Sequence, residues 1–130
     1  MKEPRWLDSR VLVLLHSESL AEHGGSSGMR DQGLFESALA RPRHLFAYEP
    51  DSDTARLAAA YGFGLARNHA FVDGNKRIAF IAMTLFLQLN GFRLVSEHVD
   101  KIRTMIAVAS GEMPEDEFAD WIRTHSIRIR

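Results

Sequence analysis

The sequence contains no cysteine, which excludes disulfide staples and thiolate metal sites alike. The compartment this suits is a reducing one, so a cytoplasmic protein is expected. Nor does either charge dominate: 16 Lys and Arg stand against 17 Asp and Glu, a formal net charge of −1. Proteins that coat duplex nucleic acid rely on a basic excess. Direct DNA binding is therefore not expected, and only a local basic pocket is left open. Long hydrophobic runs are missing too. The most apolar stretch, Ile78 to Leu87, falls short of the roughly 20 residues that span a bilayer, and Met1 to Trp6 lack the apolar core of a secretion signal. No membrane association is expected. Strand-like alternation, internal repeats and low-complexity tracts are absent as well.

What the chain does have is the 45% hydrophobic, 25% charged balance of an ordinary globular protein. At 130 residues it is expected to form a single domain, residues 1–130. The pattern predicts an all-α bundle of about six helices. The first follows Asp8 as N-cap and runs through Leu12 and Leu15 to Leu20, stopped by Gly24 and Gly25. Gly24 to Gly28 reads as a polar connector. A short second helix starts at Asp31, carries Leu34, Phe35, Ala38 and Leu39, and is expected to end at Pro42, with Arg43 to Pro50 irregular. A third begins near Asp53 or Thr54 and is rich in Ala and Gly. A fourth, from about Lys76 to Asn90 with Asn75 or its neighbour as cap, is apolar nearly all round, the signature of a buried central helix. Phe92 to Val95 is briefly extended. Ser96 then caps a fifth helix bearing Ile102, Met105, Ile106 and Val108, and Pro114 opens a sixth with Phe118, Trp121 and Ile122 inward.

The chemistry concentrates between Arg67 and Arg77, where one helix ends, a Gly-containing turn follows and a strongly apolar helix begins. A helix start presents free backbone N–H groups and a partial positive charge, so it seats anions. Lys76 and Arg77 add a point charge and a planar fork for phosphate oxygens. Asn75 either holds a phosphate or closes the loop, and Gly74 lets the backbone approach closely. Histidine is the side-chain type suited to removing a proton from an attacking hydroxyl at neutral pH, which makes His69 the candidate general base. Asp73 is a hard oxygen ligand suited to Mg²⁺ arriving with a nucleotide. Together these are the parts of phosphoryl or nucleotidyl transfer. Each also has a plainer reading. Asp73 and Asn75 are common turn formers, Phe71 is core, and Lys76 and Arg77 can be solvated first-turn charges. Cations there oppose the helix dipole, however, and that unfavourable placement tips the balance towards function. His16, His23, His44, His98 and His125 show no ligand spacing and receive no role.

The same residues resemble the Fic/Doc superfamily signature, His-x-Phe-x-(Asp/Glu)-Gly-Asn-Gly-Arg-x-x-Arg. Here the chain reads His69, Phe71, Asp73, Gly74, Asn75, Lys76, Arg77 and Phe80 at the defined positions. Lysine replaces the second glycine and Phe80 stands at the second arginine, two departures that are those of the Doc (death-on-curing) branch of type II toxin–antitoxin toxins. Gly28 to Pro42 and Leu85 to Gly91 are similar to that branch as well, so the likeness covers most of residues 8–112. It implies a compact helical Fic/Doc fold and a toxin that binds ATP reversed relative to the AMP-transferring members. The γ-phosphate would pass to a protein hydroxyl, a threonine of elongation factor Tu, and arrest translation. His69 would be the base, Asp73 the Mg²⁺ ligand, and Gly74, Asn75, Lys76 and Arg77 the phosphate holders. Arg67 matches a Doc arginine that neutralises transition-state charge; a surface arginine at a helix end is the plainer alternative. The likeness also implies a Phd-type antitoxin whose disordered C-terminal segment folds onto the toxin, with the first helix and the loop after it as its expected seat.

Three rival readings share parts of this equipment. An AMP transferase would use the same His, Asp and Asn, but Lys76 and Phe80 argue against it. A metal-independent ribonuclease toxin using His69, Arg67 and Arg77 sits poorly with the near-neutral charge. A catalytically silent antitoxin-binding module is kept open by Ile81, which occupies a position that is polar in some Doc relatives.

Overall fold

A computed structural model describes residues 2–129. Among them are six helices, α1 (Ser9–His23), α2 (Gln32–Tyr48), α3 (Thr54–Asn68), α4 (Asn75–Leu89), α5 (His98–Ser110) and α6 (Glu115–Thr124), and two short strands, β1 (Phe92–Leu94) and β2 (Ser126–Arg128). The all-α expectation holds. Three helices start where an aspartate satisfies a free N–H: Asp8 accepts from Arg10, Asp31 from Leu34 and Asp53 from Arg56. Each such cap stabilises its helix by about 1 kcal/mol.

Four details of the helical pattern differ from expectation. The second helix does not end at Pro42 but continues to Tyr48 with Pro42 buried inside it. An interior proline costs about 3 kcal/mol. Continuing the helix offsets this by packing Leu45 and Phe46 on the core, where Phe46 meets Trp6 edge-on at 5.8 Å. The fifth helix is capped by Glu97 rather than Ser96, whose hydroxyl instead donates to Asp100. On the same helix Ile102 and Ile106 do not enter the core and are about half exposed, while Thr104, Met105 and Val108 face inward. Finally, Ser126–Arg128 pairs antiparallel with Phe92–Leu94, Phe92 opposite Arg128. Two three-residue strands are too short to show alternation in sequence.

The most enclosed helix is α3 rather than α4. It packs against α2, α4, α5 and α6, and Leu57 to Gly62 and Gly64 to Ala66 are all buried. Its alanines and glycines explain this, because neighbours can close in from every side without leaving voids. A Cβ at Gly62 would lie 2.9 Å from the Phe118 ring, and one at Gly64 3.0 Å from Arg41 Cδ. The more hydrophobic α4 buries Ile78, Ala79, Ala82, Met83, Phe86 and Leu87 and leaves Phe80, Ile81 and Leu85 half-buried along its outer side.

Gly62→Ala is expected to lower stability by about 1 to 2 kcal/mol despite the better helix propensity of alanine, because the fully buried Phe118 ring cannot yield. A fall in the urea midpoint measures it. An unchanged or raised midpoint would show that the α3–α6 contact has slack.

Candidate active site

The turn between α3 and α4 is built by three braces. At the C-cap of α3, His69 adopts the left-handed conformation (φ 53°, ψ 48°), the sole non-glycine residue with positive φ among those described. A bulky residue persists there only when its surroundings over-determine it. The brace is Arg30, whose Nε and Nη2 both donate to the His69 carbonyl, at 3.0 and 2.7 Å. Next, the connector before α2 pairs with the turn: the Arg30 and Asp31 N–H groups donate to Ala70 O, and Val72 N–H donates to Gly28 O. Third, Asn75 closes the loop, its Oδ1 accepting from Phe71 N–H and its Nδ2 donating to Phe71 O, both at 3.0 Å. Of the two roles open to Asn75, the geometry displays the loop-closing one.

Phe71 is buried, as expected, against Phe35 at 5.3 Å and His16 at 3.7 Å. His16 is the residue the sequence left without a role. It is buried in α1, stacks on Phe71 and sits 2.8 Å from the Asp73 carbonyl through Nε2. A carbonyl only accepts, so Nε2 carries the proton. The signal was present in the sequence: Leu12, His16 and Leu20 fall on one stripe of α1.

Asp73 presents an exposed carboxylate whose oxygens accept from Gly74 N–H (Oδ1, 2.8 Å) and Ser26 N–H (Oδ2, 3.2 Å). The Gly74 and Ser26 N–H groups, with smaller help from the charges of Arg77 and His16, hold it below the usual carboxylate range against the opposing effect of desolvation. The segment Gly24 to Gly28 is thus more than a connector. Gly25 lies so close that a Cβ there would meet Leu20 at 2.9 Å and the Asp73 carboxylate at 3.0 Å.

The helix α4 starts at Gly74, in the left-handed region (φ 75°) with no side-chain cap, so its first-turn N–H groups remain available to an anion. Lys76 and Arg77 stand exposed in that first turn. Arg67 is placed differently. Its guanidinium lies over the Phe63 ring at 5.7 Å and against Gly111 in the α5–α6 turn, and among the described residues it makes no hydrogen bond to the loop of His69 to Gly74. No cluster of three or more His, Asp or Glu side chains suited to a metal occurs among the described residues. A lone ionised carboxylate still fits Mg²⁺, which keeps most of its waters and takes its other ligands from phosphate.

Two outcomes test this arrangement. His16→Phe keeps the stacking on Phe71 but leaves the Asp73 carbonyl without its donor, so a loss of about 1 to 3 kcal/mol in chemical denaturation is expected; full stability would mean that the bond contributes nothing. Asp73 should titrate below the ordinary aspartate value near 3.9. Its ionised form then favours the folded state above that value, and this contribution fades as pH falls through the lowered one. Carbon-detected NMR of the carboxyl group reads the midpoint directly, and a value at or above the ordinary one refutes the role of the Gly74 and Ser26 donors.

The braced turn and the connector that holds it both lie inside a recognisable family region. The Fic/DOC family model matches residues 6–87. The Toxin Doc of Mycolicibacterium smegmatis (strain ATCC 700084 / mc(2)155) is 38% identical to this chain over 99 residues, covering 74% of this chain and 76% of that protein. With its motif loop carried between a long enclosed α3 and the uncapped start of α4, this chain belongs to the Fic/DOC family.

Proposed function

We propose that the protein is the toxin of a type II toxin–antitoxin module and that it transfers the γ-phosphate of ATP to a protein hydroxyl, a threonine of elongation factor Tu. The observation that carries the activity is the turn from His69 to Arg77. It sets an exposed imidazole at one end, an ionised carboxylate at the other and an uncapped, doubly cationic helix start beyond it. The similarity to Toxin Doc supports the biological setting.

In this reading the neutral imidazole of His69 takes the proton of the threonine hydroxyl as its oxygen attacks the γ-phosphorus. The bond from phosphorus to the β–γ bridging oxygen breaks, and ADP leaves with the electron pair. Lys76, Arg77 and the free N–H groups after Gly74 hold the phosphate oxygens, where charge spreads during transfer. Asp73 would hold Mg²⁺, which neutralises phosphate charge. Asn75 serves by keeping the loop closed around Phe71. Arg67 would need to leave the Phe63 ring to neutralise charge at the phosphorus. Transfer of AMP is disfavoured by Lys76 and Phe80, which stand where that chemistry uses glycine and arginine.

The partner in this reading is a Phd-type antitoxin whose disordered C-terminal segment folds on α1. Val11, Val13 and Leu14 support that seat, since all three expose apolar surface there, Leu14 at 66%. No helix among the described residues is long and apolar enough to cross a membrane.

Intact mass of elongation factor Tu after incubation with the protein and Mg²⁺-ATP tests the activity. A gain of about 80 Da is expected for one phosphoryl group, and about 329 Da would instead mean AMP transfer. His69→Asn is the matching variant, because asparagine tolerates the left-handed conformation that alanine does not. It should cut transfer at least about a hundredfold with the thermal midpoint unchanged. Near-normal turnover removes His69 from the base role.

A further inference from the structure

Asp8, Asp31 and Asp53 each stand directly before the helix they cap. By the same rule Asp73 should cap α4, since aspartate is among the strongest residues at a helix start. It does not. Gly74 intervenes, left-handed at φ 75° and ψ 21°, and the helix begins at Asn75 with no side-chain cap. The carbonyl of a capping residue accepts the first bond of its helix. Here that acceptor is Gly74 O, which takes Ile78 N–H at 3.0 Å. The Asp73 carbonyl is engaged elsewhere, 2.8 Å from His16 Nε2. Among the described residues, the N–H groups of Asn75, Lys76 and Arg77 have no hydrogen-bond partner.

Glycine adopts right-handed backbone as readily as left-handed, so a helix one residue longer is open to this sequence. In that arrangement Gly74 turns right-handed and the Asp73 carbonyl accepts from Arg77 N–H. The Asp73 carboxylate then folds over the first-turn N–H groups, where an anion would otherwise sit. We propose that His16 is a positioning residue that holds this alternative off. By donating to the Asp73 carbonyl it stops Asp73 from capping α4, and so keeps both the first-turn N–H groups and the carboxylate free for a ligand. The place calls for histidine in particular. It needs a flat ring to stack on Phe71, with centroids 3.7 Å apart and planes at 20°, and an N–H on the ring edge to reach Asp73 O. His16 is buried, so water does not compete for that bond. The fit is close: a Cβ on Gly74 would lie 3.4 Å from both His16 Nε2 and Leu20 Cδ2. The inference rests on the reading, given above, of Asp73 and the start of α4 as holders of metal and phosphate.

Amide hydrogen exchange, followed by NMR on the full chain as wild type, His16→Phe and His16→Gln, tests this. Phenylalanine keeps the stacking and lacks the donor, whereas the glutamine amide keeps a donor and gives up the ring. In His16→Phe the Arg77 N–H gains Asp73 O as a partner, so its exchange should slow at least about tenfold relative to wild type. His16→Gln should exchange it as freely as wild type does. A residue that merely filled space would act in the opposite direction, because a weakened core speeds exchange. Calorimetric titration with inorganic tripolyphosphate adds a second reading. Affinity should fall about tenfold in His16→Phe and stay within about threefold of wild type in His16→Gln. His16→Leu, which also lacks a donor, replaces His16→Phe if that variant melts early. An Arg77 amide that exchanges no more slowly in the donor-less variant overturns the proposal, and so does an equal, measurable tripolyphosphate affinity in that variant and the wild type. The underlying reading fails separately: a slowed Arg77 amide in a protein whose wild type binds no tripolyphosphate keeps His16 as the residue that sets the helix start and removes the phosphate seat.

Discussion

Phe71 is the point at which three separate parts of the chain are tied together. Its ring is buried between His16 of α1 and Phe35 of α2, and its N–H and carbonyl are both taken by Asn75 of α4. Its neighbours on either side accept from or donate to the connector at Gly28 to Asp31. A polar turn of this kind would otherwise expose unpaired backbone groups and wander. Anchored this way, the backbone at His69 is held without its side chain being used for support, and the side chains of His69 and Asp73 both stay exposed to solvent.

That separation of labour explains the local strain and the local charge. The left-handed His69 backbone is stabilised from outside by Arg30, so the imidazole itself carries no structural duty. The Asp73 carboxylate gains N–H donors from Gly74 and Ser26, which keep it ionised while leaving lone pairs on each oxygen. The cations of the first α4 turn oppose the helix dipole there and stand exposed to solvent. The α3 helix makes the arrangement rigid. Its small residues let α2, α4 and α6 close around it, so the turn emerges from the most tightly packed part of the molecule.

The helical plan was legible because it rests on local signals. Asp8, Asp31 and Asp53 cap the helices they were expected to cap, and Gly91 and Gly111 follow α4 and α5 in positive-φ conformations. Three of the errors share one cause. Pro42 reads as a stop by propensity, but the packing of Leu45 and Phe46 outweighs it; the apolar outer side of α4 reads as core, but too little protein lies over it; Ile102 and Ile106 read as buried, but they border an open groove. Each was decided by what lies across from the residue, which periodicity does not contain.

The sequence by itself determined the all-α class, the capped helix starts and the concentration of His69, Asp73, Lys76 and Arg77 in one turn, because those depend on residues close along the chain. Tertiary structure alone decided that His16 meets Phe71, that Ser26 and Gly25 lie against Asp73, that Arg67 lies against Gly111, and that Phe80 shares a groove with Ile102 and Ile106. Those contacts join residues far apart in sequence, and their geometry follows from how whole helices pack rather than from any local preference.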